Sequence, residues 1–160
     1  MELMRLGGAD LALARATFML MGEVFDEDPW VPLGDPYLRS LLDDARVWAY
    51  AAVSDGRPIG GLVAHQLPMT RAEVPELLIY DLAVDVGHQR RGVGRALIAR
   101  IRSDAAAVGI GEMWVPADDD DEHALEFYRN TGASSQAVTI FTYGTAGAQP
   151  GEWRPAPPTS

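Results

Sequence analysis

The spacing of apolar residues changes rhythm several times along the chain, and each change marks an element. Leu13, Thr17, Leu20 and Val24 recur at helical spacing, and Asp10 stands where it can cap that helix. FDEDPWVPLGDPY carries three prolines and a glycine and is read as loop. A short helix is expected next, in YLRSLLDDA. RVWAYAAV and PIGGLVAHQL then flank Ser54-Asp55-Gly56-Arg57, two β-rich runs around an Asp-Gly, which predicts a hairpin. Pro68 to Pro75 reads as turn or loop.

LLIYDLAVD is a nearly continuous apolar run, as a central strand covered on both faces should be. Helical spacing returns at Val93, Leu97, Ile98, Ile101, Ala105 and Val108, with Gly109 or Gly111 to stop it, and Arg100 and Asp104 as an exposed i,i+4 pair. EMWVPA is the next expected strand. DDDDEHALEFYRNTGA reads as an acidic loop, a short helix and a stop at Gly132, and AVTIFTY as a last strand. From Gly144 onward no core-forming pattern remains, so a loose tail is expected. The order of elements predicts one α/β domain with a mixed sheet, whose strand–helix–strand unit should be parallel.

Composition narrows the function. At 160 residues, 48% apolar and 22% charged, the chain can bury a good core. No apolar run reaches the roughly 18–20 residues of a membrane span, and the start of the chain is broken by Glu2, Arg5, Asp10 and Arg15, unlike a signal peptide. A soluble cytoplasmic protein is expected. There is no cysteine, and His65, His88 and His123 are far apart, so no metal is implied. A net charge of −10, from 23 acids and 13 bases, argues against nucleic acid and suits a cationic partner.

Against that acidic background Gln89-Arg90-Arg91-Gly92-Val93-Gly94 stands out, between the central strand and the amphipathic helix. A helix start offers unpaired N–H groups and the positive end of the macrodipole. Gly92 and Gly94 permit close approach of an anion, and Arg90, Arg91 and Arg95 add charge. The layout is that of a diphosphate-bearing cofactor site. The competing account is a strand–helix turn whose glycines only allow tight packing. Asp81 is a lone acid in an apolar strand, costly to bury without a role or partner. Asp118, Asp119, Asp120 and Asp121 repel one another. A polycationic substrate would relieve that repulsion, whereas a solvated loop or a cap by Asp121 would account for them without one. His123 is a candidate base or a polar group at a helix start, and His88 is expected to be exposed.

Gln89-x-x-Gly92-x-Gly94, set after a strand, opening a helix and followed by Ala124-x-x-Phe127-Tyr128, resembles the signature of the GNAT acetyltransferase superfamily over Leu77 to Ala133. MGEVFDE, GDPYLRSLL, the hairpin, IYDLAVD, HQRRGVGRALI and ADDDDEHALEFYRNTGA are similar more narrowly to the aminoglycoside 3-N-acetyltransferases of GNAT type, from about Leu20 to Tyr143. That resemblance implies a mixed, mostly antiparallel sheet with a parallel splayed strand pair, flanked by helices. It implies acetyl-CoA as cosubstrate, an aminoglycoside as acceptor, antibiotic resistance as outcome, and it admits a homodimer. By the same resemblance Gln89 to Arg95 hold the pyrophosphate. Backbone groups of Leu82, Ala83 and Val84 pair with pantetheine and polarise the thioester. Tyr128 protonates the leaving thiolate, and Asp81 contacts or deprotonates the acceptor amine. Asp35, Tyr37, Tyr80 and the acids at 118–121 face the substrate, with Asp26, Glu27 and Asp28 in the same acceptor region. Two rival readings stand beside it: an acetyltransferase for another amine, such as a polyamine or a protein N-terminus, and a non-catalytic acyl-CoA-binding module.

Overall fold

In the computed structural model, which describes residues 1–25 and 31–144, the chain forms two compact units that divide after Asp118. The first holds strands β1 (Glu2–Leu6), β2 (Val47–Ser54), β3 (Arg57–Leu67), β4 (Glu76–Val84) and β5 (Met113–Trp114). Its helices are α1 (Leu11–Val24), α2 (Asp35–Asp43) and α3 (Val93–Ala107). The second holds α4 (Glu122–Asn130). The strands lie in the order β1-β2-β3-β4-β5, antiparallel except for the parallel β4–β5 pair. This is the mixed α/β sheet that the order of elements predicts.

Alternation along β2 sorts the two faces. Ala49 and Ala51 pack with Phe18 and Met21 of α1 and with Leu38 and Leu42 of α2. Tyr50 points the other way, and its hydroxyl donates to Asp104 of α3 at 2.9 Å. α1 lies very close to the sheet because β3 carries Gly61 there. A Cβ on Gly61 would sit 2.5 Å from Met21 Sδ and 2.6 Å from Thr17 Cγ2. Asp55 and Gly56 have φ of 51° and 74°, both left-handed as a two-residue type I′ hairpin requires.

Several expectations are corrected. β1, which no sequence signal announced, adds an edge strand at the N-terminus, and Arg5 on it lies 4.1 Å over the Trp48 ring. Asp10 occupies the cap position of α1 but caps nothing; its Oδ2 accepts from the Gly7 N–H at 2.9 Å. Arg100 and Asp104 are half-buried rather than exposed, because Asp104 also accepts from Tyr50 and Arg100 donates to the Leu3 carbonyl at 3.1 Å. Burial, then the Asp104 carboxylate, pushes the Tyr50 phenol well above its ordinary range. EMWVPA pairs through only two residues, since Pro116 has no N–H to donate. AVTIFTY is not a strand: among the described residues nothing pairs with it, and Val138, Ile140, Phe141 and Tyr143 stay exposed. A β-rich sequence becomes a strand only beside a partner. The tail from 145 onward lies outside the described residues.

Candidate active site

The sheet opens at β4. Its ladder to β5 consists of Leu77↔Met113 and Leu78↔Trp114, and from Ile79 to Val84 β4 has, among the described residues, β3 alone beside it in the sheet. That is the splayed parallel pair. Leu82, Ala83 and Val84 lie on this stretch, Ala83 buried and the other two half-buried. A bulge sits just before them. Val63 pairs with Asp81, but the next residue, Ala64, pairs with Ile79, so Tyr80 is extra. Partners across a ladder share a face, as do residues two apart on a strand. Val63 and His65 therefore share a face, and so do their partners Asp81 and Leu78, although these are three residues apart.

The strand runs into the basic turn through a short 3-10 segment, Val86–His88. His88 is half-buried, not exposed, because its Nδ1 lies 2.6 Å from Asp85 Oδ2. Gln89 Nε2 reaches back to donate to the Val84 carbonyl at 3.1 Å, tying turn to strand end. Arg90 and Gly92 are both left-handed, at φ 59° and 84°. Gly92 is needed for that conformation rather than for space, since a Cβ there would meet nothing within 4 Å. α3 begins at Val93 with no side-chain cap, and its first in-helix bond runs from Ala96 N–H to Gly92 O at 2.9 Å. The N–H groups of Val93, Gly94 and Arg95 therefore precede any in-helix acceptor. Arg90, Arg91 and Arg95 stand exposed around them. The arrangement suits an anion with several oxygens.

The proposed acceptor residues meet different fates. Asp35 opens α2 and pairs with Arg15 of α1, which also donates to the Leu33 carbonyl; Tyr37 is exposed one position past Pro36. Asp26, Glu27 and Asp28 lie outside the described residues. Asp118 ends the first unit, exposed. In the second, Asp119, Asp120 and Asp121 are exposed, and Asp121 Oδ1 accepts from the Ala124 N–H at 2.9 Å, capping α4. His123 is exposed at the start of the same helix. Tyr128 is half-buried, its ring edge-on to Phe127 at 5.1 Å. Among the described residues no cluster of His, Cys, Asp or Glu could hold a metal, and no helix is long and apolar enough to cross a membrane.

The structure also gathers His65, Glu76 and Trp114, to which the sequence assigned no place in the site, around Tyr80 and the start of β4. His65 packs edge-on against Tyr80 at 5.7 Å, and Trp114 Nε1 donates to Glu76 Oε2 at 3.2 Å. Nothing in the one-dimensional pattern announces these pairings, which depend on strand register.

A sheet that splays at a bulged β4 and feeds an uncapped, glycine-bearing helix start defines a class: the chain belongs to the Acetyltransferase (GNAT) family, which it matches over residues 14–133. Among solved structures it is similar to an aminoglycoside acetyltransferase, meta-AAC0020, from an uncultured soil metagenomic sample and crystallised with sisomicin. The identity is 30%, the TM-score 0.85, and the match covers 90% of this chain and 95% of that one. A second soil metagenomic aminoglycoside acetyltransferase, HMB0005, matches at 30% identity and TM-score 0.82, over 90% and 98% of the two chains. By sequence the chain is also similar to the ribosomal protein bS18-alanine N-acetyltransferase of Escherichia coli (strain K12), 25% identical over 77 residues. That match takes in 48% of this chain and spans about half, 52%, of the relative's length.

Proposed function

We propose that the chain is an acetyl-CoA-dependent N-acetyltransferase of aminoglycoside antibiotics, acting on the 3-amino group and so conferring resistance. The observation that carries this reading is the 30% identity to an aminoglycoside acetyltransferase over 90% of the chain. The CoA diphosphate would lie on the α3 start, among the N–H groups of Val93, Gly94 and Arg95, with Arg90, Arg91 and Arg95 supplying charge. Backbone groups of Leu82, Ala83 and Val84, beyond the end of the β5 ladder, would take the pantetheine arm. When bound, the thioester supplies an activated acetyl group.

The acceptor amine reaches the site as an ammonium and must lose a proton to Asp81, directly or through water. The neutral nitrogen then attacks the thioester carbonyl carbon, and its N–C bond forms as the C–S bond breaks. The Tyr128 hydroxyl gives a proton to the departing sulfur, and the proton that the acylated nitrogen sheds passes through water to restore the phenol. Transfer is direct, in a ternary complex; without cysteine the commonest acyl-enzyme has no nucleophile.

A second reading, acetylation of an alanine N-terminus, is favoured by the similarity to the bS18 enzyme. A thiol-release assay with acetyl-CoA and gentamicin, kanamycin, spermidine or an alanine-terminated peptide separates the possibilities. Turnover of the aminoglycosides, with the product acetylated at the 3-nitrogen by NMR, is expected. Turnover on the peptide alone overturns the antibiotic reading, and CoA binding without turnover leaves a non-catalytic module.

A further inference from the structure

The α1/α2 face of the sheet is covered at Gly61 by Thr17 and Met21, and towards the N-terminal end of β4 it carries exposed side chains among the described residues. There Tyr80 is 64% exposed and Trp114 43% exposed, unusual for aromatic rings on strands. They share that face. Val63 belongs to it, packed against the α1/α2 core, and His65 lies two residues on. Leu78 is the ladder partner of His65, and Trp114 is the partner of Leu78. Tyr80 joins them through its edge-on contact with His65, which holds its ring. The bulge brings Asp81 to the same face. Trp114 Nε1 in turn holds the Glu76 carboxylate beside the indole.

Two open aromatic rings and a carboxylate fixed at one edge make a surface for a cation with an apolar body. We propose that Tyr80, Trp114 and Glu76, with His65 positioning Tyr80, form a remote subsite for an ammonium-bearing ring of the acceptor, apart from the ring that is acetylated. The inference rests on the aminoglycoside reading and adds where the rest of the substrate lies. A strand rises about 3.3 Å per residue, and because the bulge takes up one residue, Leu78 and Glu76 stand opposite positions two and four residues beyond the Val63 partner of Asp81; the Leu78–Trp114 level therefore lies roughly 7 Å along β4 from Asp81, and Glu76 roughly 13 Å. A single amino-sugar ring at Asp81 cannot also reach Glu76; an acceptor of two or three rings can. The acidic net charge favours the same occupant over an anionic one.

The test compares neamine and kanamycin with the single-ring 2-deoxystreptamine, on wild type, Glu76→Gln and Trp114→Ala. KM for the multi-ring acceptors should rise about tenfold in each variant, with a much smaller rise for the single ring and little change in kcat. Trp114→Phe, which keeps a ring and loses the bond to Glu76, should fall between. Equal shifts for one-ring and multi-ring acceptors, or none, overturn the subsite. Calorimetric titration of neamine into the protein without acetyl-CoA reads binding apart from turnover. Binding that weakens in Glu76→Gln supports the subsite even if no aminoglycoside is acetylated. A wild type that binds no neamine overturns it, whatever the enzyme turns over.

Discussion

Two charged segments open helices in this chain, and they open them in opposite ways. The basic one, Gln89 to Arg95, leads into α3 through a left-handed Gly92 and leaves the helix start without a side-chain cap. The acidic one, Asp118 to Glu122, leads into α4 and closes its start with Asp121 Oδ1 on the Ala124 N–H. At α4 a carboxylate from the chain itself satisfies a backbone donor; at α3 the corresponding donors remain for something else. Charge alone would have labelled both segments as ligand sites. The capping geometry separates them, because a helix start occupied from within has less to offer an external anion.

The strongest challenge to this contrast is to give α3 the cap that α4 has. Gly92→Asp places a carboxylate at the α3 start, where it would take an N–H and repel phosphate. On the proposed function KM for acetyl-CoA should rise about a hundredfold, roughly 3 kcal/mol of lost anion binding. The left-handed φ of 84° also disfavours any Cβ there, so a modest fall in Tm is expected. Gly92→Ala controls for that strain. An aspartate variant no worse than the alanine one in acetyl-CoA KM would show that the helix start does not hold the phosphates.

A smaller effect is expected at Gln89, whose side chain contributes a neutral hydrogen bond to the Val84 carbonyl. Gln89→Ala should loosen the turn and raise acetyl-CoA KM about fivefold, near 1 kcal/mol. Steady-state kinetics would show it, and a change confined to kcat would place Gln89 elsewhere in the reaction.

Why these turns could be read from sequence, and other features could not, follows from how local each one is. Asp55-Gly56 needs only its own left-handed dihedrals, and Gly109 and Gly132 only the end of their helices. Both terminate with paired backbone bonds, Ile110 N–H to Ala105 O at 2.9 Å and Ala133 N–H to Tyr128 O at 3.1 Å. The basic turn is equally local. The bulge at Tyr80 is not. Strict alternation puts Leu78 and Asp81 on opposite faces, and only the register against β3 reveals the extra residue. AVTIFTY fails for the same reason, since strand character belongs to a pair. Asp121 as a cap was legible, a carboxylate just before a helical pattern. Asp10 in the same position turned back to Gly7 instead, a choice made by the loop.

The α4 side of the contrast can be broken at Asp121. Asp121→Ala should cost about 1 kcal/mol, a Tm drop of roughly 2–4 °C, by removing the cap. Acetyl-CoA KM should barely move. Should KM for kanamycin rise strongly while Tm holds, Asp121 is a substrate ligand and its cap is incidental.

A third charged turn gives the smallest effect and a pH signature. Asp44 Oδ1 accepts from the Arg46 N–H at 2.9 Å, and its Oδ2 lies 2.7 Å from Arg46 Nη2, so this carboxylate is satisfied within three residues. The Arg46 side chain, then its backbone N–H, holds the Asp44 carboxyl down from 3.8 to about 2. A carboxyl lowered on folding binds its proton more readily when unfolded. Its contribution to stability is therefore complete above the unfolded value of 3.8 and disappears as pH falls towards about 2. The pair is exposed, so solvent screens it and the contribution is small. Asp44→Asn should lower the urea midpoint slightly at pH 5, and the gap to wild type should close on acidification to pH 2. A gap that stays constant across that range would mean that Asp44 acts through the shape of its turn, as a neutral Asx residue can, and not through its charge.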